Sequence, residues 1–157
     1  MDSGLLGFVN EYGYLAIFLL VFLQEIGVPN PVPNELVLLF AGALTVIGDL
    51  NFWAVFFVAV VADVAGTAIL FTIFYFFEHV IMERVKKWEK INAKLEKVKE
   101  RLIKHDKWGI FLGRLMPYLR GYVSVAAGIL NMPYRVFIPI VAISATIWSG
   151  GYVILGH

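Results

Sequence analysis

Cysteine is absent from the 157-residue chain, which excludes disulfides, thiolate nucleophiles and cysteine-based metal sites. The three histidines, His79, His105 and His157, are scattered without metal-ligand spacing, so no metal or cofactor is expected. Charge is scarce as well. Only 16% of residues are charged, against roughly a quarter in a soluble domain. Lysine and arginine are missing altogether before Arg84, although carboxylates occur there at Asp2, Glu11, Glu25, Glu35, Asp49 and Asp63, and again at Glu78 and Glu83. With no basic region ahead of the first apolar stretch, a cleaved signal peptide is not expected.

What the chain has instead is apolar surface: 60% hydrophobic residues and a mean hydropathy of +0.78, values that point to lipid as the solvent. One membrane domain over 1–157 is the natural count. Ten of the thirteen Lys and Arg residues lie between Arg84 and Lys107, and that concentration has to be explained by any function.

The hydropathy grammar runs in five pieces. Over 12–47 two apolar stretches flank the run Gln24-Glu25 to Asn34-Glu35, which carries Pro29, Pro31 and Pro33. Neither stretch reaches the roughly 20 residues that cross a hydrocarbon core, and three prolines in five residues break a helix. A re-entrant helical hairpin is predicted, its polar break buried in protein or lining a watery cavity. Residues 52–77 are long enough to span the membrane with Asp63 as the one internal charge.

Over 78–107 Val85, Trp88, Ile91, Leu95, Val98 and Leu102 recur at three- and four-residue spacing, predicting one amphipathic helix lying against the membrane or the bundle. Glu83 with Lys87 and Glu100 with Lys104 stand in the favourable i,i+4 order, and the basic excess puts the helix on the cytoplasmic side. A lipid-headgroup sensor is the functional alternative for this segment.

A second hairpin is predicted over 108–132, broken at Arg114 to Gly121 around Pro117, and a second span over 133–156 with Pro139 able to kink it. Ala41-Gly42-Ala43-Leu44 after the first break matches Ala127-Gly128-Ile129-Leu130 after the second. The two halves read as an inverted repeat, a pointer to a transporter site at the midplane. The predicted fold is therefore an all-α polytopic membrane protein with two re-entrant hairpins, transmembrane helices and a basic amphipathic cytoplasmic helix.

Ions inside a bilayer cost about 2.5–3.5 kcal/mol each even on insertion scales and mark function. The candidates are Glu25 and Glu35 in the first hairpin, Asp63 in the first span, and Arg114 and Arg120 in the second hairpin. Arginine keeps its charge and its planar fork matches phosphate. A carboxylate in low dielectric can be raised towards neutrality, which suits a proton carrier. Pairing of the acids with the arginines across the repeat is the expected arrangement, with plain charge neutralisation as the structural alternative. Asp63, among small residues, is the weakest candidate. Arg135 is expected to snorkel. Tyr12, Tyr14, Trp53 and Tyr152 look like interface anchors. Pro29, Pro31, Pro33, Pro117 and Gly121 make the breaks. Ser124, Ser144 and Ser149 lack an evident base, so hydrolysis is not expected.

The run Glu25-Ile-Gly-Val-Pro29-Asn-Pro-Val-Pro33-Asn-Glu35 with Leu38-Leu39-Phe40-Ala41-Gly42 resembles the first signature of the DedA family, also called the VTT or SNARE-associated superfamily. Gly113-Arg114-Leu-Met-Pro117-Tyr-Leu-Arg120 through Met132-Pro133 resembles the second, and Trp148 through Gly156 the family's ending. The likeness covers about 20–156. It implies two opposed re-entrant hairpins enclosed by transmembrane helices. It also implies lipid transport at the cell membrane: bacterial members recycle undecaprenyl phosphate with dependence on the proton-motive force, and eukaryotic relatives resemble scramblases. On that resemblance Arg114 and Arg120 would hold the phosphate, and Glu25 and Glu35 would carry protons or gate.

Two departures stand out. Where many relatives have Gly-Asp in the first span this chain has Gly66-Thr67, and where they have Gly-Arg near its end it has Phe74-Tyr75. Many relatives continue with one more helix, so a minimal member, or one completed by a partner subunit, is expected, and a homo-oligomer is a further expectation. The expected function is a proton-coupled translocase of undecaprenyl or another polyprenyl phosphate. An energy-independent phospholipid scramblase and a proton or ion antiporter are the alternatives. Membrane lipids are the expected partners and no nucleic acid is.

Overall fold

The computed structural model describes residues 3–28, 32–48, 50–105, 107–116 and 119–157, with side chains from residue 11 onward other than that of Val85. Among the described residues the fold is all-helical, with no strand. Its seven helices are α1 (Ser3–Ile26), α2 (Asn34–Val46), α3 (Phe52–Val85), α4 (Glu89–His105), α5 (Lys107–Leu115), α6 (Arg120–Ile129) and α7 (Tyr134–Gly156). Two of them, Phe52–Arg84 and Tyr134–Gly156, are long and apolar enough to cross a membrane.

The helix ends follow from local chemistry. α1 stops because Gly27 adopts φ 103; its N–H bonds the Gln24 carbonyl (3.1 Å) and that of Val28 bonds the Leu23 carbonyl (3.0 Å). This is the Schellman pattern, which satisfies carbonyls that a helix end leaves bare. α6 closes in the same way. Asn131 takes φ 52, its N–H reaches the Gly128 carbonyl and Met132 N–H that of Ala127, each at 3.1 Å. In the sequence a proline follows two residues later in both cases, at Pro29 and Pro133.

Pro33 caps α2 in an extended conformation (φ −60, ψ 146), where its missing N–H costs nothing. Its carbonyl accepts from Leu36 and Val37 N–H. Pro133 does the same for Val136 and Phe137 at the start of α7. That helix then runs on through Pro139.

Three sequence expectations need correcting. α1 has 24 residues, about 36 Å at 1.5 Å per residue, so it is not a half-length piece. It reaches back to Ser3 at one end, and at the other it passes Gln24 and Glu25 and stops at the left-handed Gly27. α2, α5 and α6, of 13, 9 and 10 residues, are too short to cross about 30 Å of hydrocarbon.

The helix expected over 78–107 is in fact divided. Phe77 departs from helical geometry (φ −112, ψ 23) at the expected end of the first span, but α3 resumes and reaches Val85. The chain then turns at 86–88, Lys87 N–H bonding the Arg84 carbonyl at 3.3 Å in the tighter three-residue spacing common at helix ends. The apolar stripe splits accordingly. Leu95, Val98 and Leu102 are buried, whereas Trp88 is 64% exposed.

The third concerns Gly121, expected in the break. It lies in the first turn of α6, with nothing near the position a Cβ would take.

The helices form two compact units: Met1–Gly66 with Ala145–His157, and Thr67–Ser144. α3 and α7 each contribute one half to either unit. The first unit is cored by Ile17 and Val21 of α1, Leu38 and Ala41 of α2, Val55, Ala59 and Ala62 of α3, and Trp148 and Val153 of α7. Its helices touch through small residues. A Cβ on Gly42 would fall on the Val153 carbonyl, and one on Gly156 would fall on that of Leu39. Close backbone contact of this kind replaces the hydrophobic drive that lipid abolishes.

The second unit repeats the contact. A Cβ on Gly128 of α6 would sit 2.7 Å from the Phe71 carbonyl of α3. Val153 and Phe71 each lie nineteen residues beyond the first residue of α7 and α3. So the Ala-Gly of each short helix rests at the same depth on the long helix that follows the other one. Phe71 stacks on Phe137 at 4.1 Å, and Thr72 shares a 2.9 Å hydrogen bond with the Tyr134 hydroxyl.

Candidate functional site

α5 ends at the second break, and its last turn delivers Arg114 into the interior of the second unit, where only 1% of its surface is exposed. Three helices supply hydroxyls to it. Arg114 Nε donates to Ser144 Oγ of α7 at 2.9 Å. Nη1 donates to Thr67 Oγ1 of α3 and to Ser124 Oγ of α6, both at 3.2 Å. The polarity of these bonds is set locally. Ser124 donates its own proton to the Arg120 carbonyl (3.2 Å) and Ser144 to the Val141 carbonyl (3.0 Å). Each serine hydroxyl therefore turns its lone pairs towards the guanidinium, which can only donate.

Arg120 is the first residue of α6 and 6% exposed. A cation at a helix N-terminus stands where the macrodipole is already positive. The arrangement is unfavourable for an arginine by itself and favourable for an anion placed beside it. Two buried guanidiniums six residues apart thus flank the break between α5 and α6 in one unit.

The acids belong to the other unit. Asn34, 2% exposed, donates through Nδ2 to Glu25 Oε1 at 3.2 Å, which ties the last turn of α1 to the first of α2. Gly66 of α3 lies under Glu25, a Cβ there coming within 2.7 Å of the Glu25 Cβ. Asp63, one turn earlier on α3, is only 1% exposed, while Glu25 and Glu35 are half-buried. Asp63, the weakest acid by sequence, is the most deeply placed. Among the described residues no group of three His, Cys, Asp or Glu side chains could hold a metal ion. Pro29, Pro31 and Pro117 lie outside the described residues; Pro33 is the cap of α2.

The residues that sequence reasoning passes over are Thr67, Ser124, Ser144 and Asn34. By sequence Ser124 and Ser144 are only serines without a base, whereas their place is as acceptors for Arg114. A buried arginine needs acceptors, and hydroxyls on flanking apolar helices are the available signal.

A VTT domain model matches residues 32–157. Over 162 residues the chain is 32% identical to undecaprenyl phosphate transporter A of Staphylococcus aureus, covering all of this chain and 79% of that protein. The chain belongs to the DedA family. Protein DedA of Escherichia coli is 29% identical over 94% of this chain and 70% of its own length. An alkaline phosphatase-like protein of Lactococcus lactis is 27% identical over 99% and 75%.

No solved structure matches. As a DedA-family member the chain is a membrane protein of a transporter family rather than an enzyme. Thr67, the residue after Gly66, is one of the hydroxyls on Arg114.

Proposed function

We propose that this chain moves a polyprenyl phosphate such as undecaprenyl phosphate across the cell membrane, with Arg114 and Arg120 binding the phosphate. The observation that carries the reading is the burial of Arg114 at a helix break, with hydroxyls from three helices on its fork. A hydrogen bond from the guanidinium to a phosphate oxygen adds charge-to-charge attraction, and a bidentate geometry, to what a neutral hydroxyl offers the same donor. An arriving phosphate can therefore displace a hydroxyl, and the hydroxyls hold the fork in place when the phosphate leaves. The named activity of the Staphylococcus aureus relative supports the same lipid class.

The short helix α2 and the pair α5–α6 act as the re-entrant elements of an inverted repeat, with α3 and α7 as spans. The matched contacts of Gly42 on α7 and Gly128 on α3 support that reading. The chain is multi-pass, with 78–107 on the cytoplasmic side, where its basic excess is favoured. Glu25, held by Asn34, and Glu35 carry or gate the protons that drive transport, and the buried Asp63 assists them.

The test is a flipping assay in proteoliposomes loaded with a polyprenyl phosphate. Arg114→Ala and Arg120→Ala should each abolish most of the protein-dependent rate. Unimpaired translocation by both would sink the assignment. Proton coupling is tested by collapsing the gradient and by Glu25→Gln and Glu35→Gln. A rate indifferent to all three would mean an energy-independent scramblase instead.

A further inference from the structure

Four basic residues of α4 share one face. Lys90, Lys94, Lys97 and Arg101 follow the spacing i, i+4, i+7, i+11, which aligns them in one stripe along a helix. Glu89, Glu96 and Glu100 lie about 110° around the helix from that stripe, and Lys99, outside the stripe, pairs with Glu96 at 3.4 Å. On the stripe's other flank the apolar edge of Leu95, Val98 and Leu102 is buried against α5 and α6.

The basic stripe does not face open solvent alone. Lys94, Lys97 and Arg101 line a cavity of about 210 Å³ together with Val98 and Leu119. Arg101 and His105 also line an adjoining cavity of about 270 Å³ with Trp108, Leu112, Met116 and Leu119. Leu119 is the residue before Arg120, at the break between α5 and α6. Lys94 is further placed by Tyr122 of α6, its Nζ lying 5.9 Å from the ring centroid, within cation–π reach. So three exposed cations, an apolar cavity and the hairpin break adjoin one another within the second unit.

We infer that the basic stripe of α4 is a docking site for the phosphate-monoester headgroup of a membrane lipid, occupied outside the buried arginines. Lys94, Lys97 and Arg101 take the headgroup, and the apolar walls of Trp108, Leu112 and Met116 take the first part of its chain. The inference rests on the proposed lipid-phosphate function and adds a second, shallower site to it. The tail requirement commits the ligand to a lipid: free phosphate offers nothing to the apolar cavity.

The absence of cysteine makes the test clean. Leu112→Cys in the otherwise unaltered chain gives one thiol for an environment-sensitive fluorophore at the cavity wall. The labelled protein in phosphatidylcholine nanodiscs is titrated with farnesyl phosphate, farnesol and inorganic phosphate. Farnesyl phosphate should change the emission saturably, and the other two should not. Lys94→Gln/Lys97→Gln/Arg101→Gln should weaken its apparent affinity by about tenfold or more, since each basic residue near such a headgroup contributes several-fold. Glu89→Gln/Glu96→Gln/Glu100→Gln should leave it unchanged.

Equal affinity in the basic-stripe variant and the parent overturns the proposal. So does an equal response to inorganic phosphate, which would assign the site to a free anion. If the label perturbs the cavity, native mass spectrometry of unlabelled protein decides instead, by counting bound farnesyl phosphate with and without the three Gln substitutions. The readout is binding, so it separates the two ideas. A parent protein that moves no lipid while the label still responds defeats the transport function alone. Normal transport with no stripe dependence of binding defeats this site alone.

Discussion

Arg114 and Thr67, forty-seven residues apart in the chain, are joined by a 3.2 Å hydrogen bond from Nη1 to Oγ1. Thr67→Val keeps the shape and removes the acceptor. It should cost about 1–3 kcal/mol, the penalty for removing one partner of a buried hydrogen bond. Thermal unfolding in detergent measures it, and an unshifted midpoint would mean that this bond contributes nothing to stability.

Arg114→Lys tests whether the site needs a charge or a fork. A lysine ammonium is a compact point charge and cannot copy the planar geometry that reaches α3, α6 and α7 together. Lipid translocation by this variant should fall nearly as far as with Arg114→Ala. Substantial rescue by lysine would show that charge alone suffices.

The glycines separate by what lies beside them. Gly42→Ala and Gly128→Ala drive a Cβ into helix backbone, so both should lower stability by roughly 1–3 kcal/mol or more as an overpacking effect. Gly121→Ala meets open space on α6 and should be neutral or stabilising by up to about 1 kcal/mol. Yield and melting midpoint of the three variants provide the check. A severe loss from Gly121→Ala would restore Gly121 to the helix break.

The two left-handed caps predict opposite signs. Asn131→Gly relieves a non-glycine residue at φ 52 and should stabilise by about 1 kcal/mol, whereas Gly27→Ala should cost about 1–2 kcal/mol. Chemical denaturation of the detergent-solubilised protein distinguishes them, and a loss of stability in Asn131→Gly would mean that the asparagine side chain matters more than its backbone.

Much of the helical layout is legible in the sequence because it is local. The prolines, the apolar run from Phe52 and the basic block after Arg84 each act on their own neighbourhood. The length of α1 is not, because Gln24 and Glu25 look like an end. A helix tolerates such residues, and what stops it is the left-handed turn at Gly27. The division of 78–107 is hidden for a related reason. Val85, Trp88 and Leu95 keep helical spacing, but no glycine or proline marks the turn at 86–88.

At the site, the sequence by itself determined which side chains had to be special. An arginine or carboxylate within an apolar segment is costly whatever the fold, so Arg114, Arg120, Glu25, Glu35 and Asp63 could be picked out by composition alone. Only the tertiary structure decided their company. Thr67, Ser124 and Ser144 come from three helices spread over seventy-eight residues, and nothing local brings them to one guanidinium. Hydroxyls are cheap to carry on a helix, so they become a signal only beside an arginine known to be buried. They acquire a role only when packing sets them around a charge that must be satisfied.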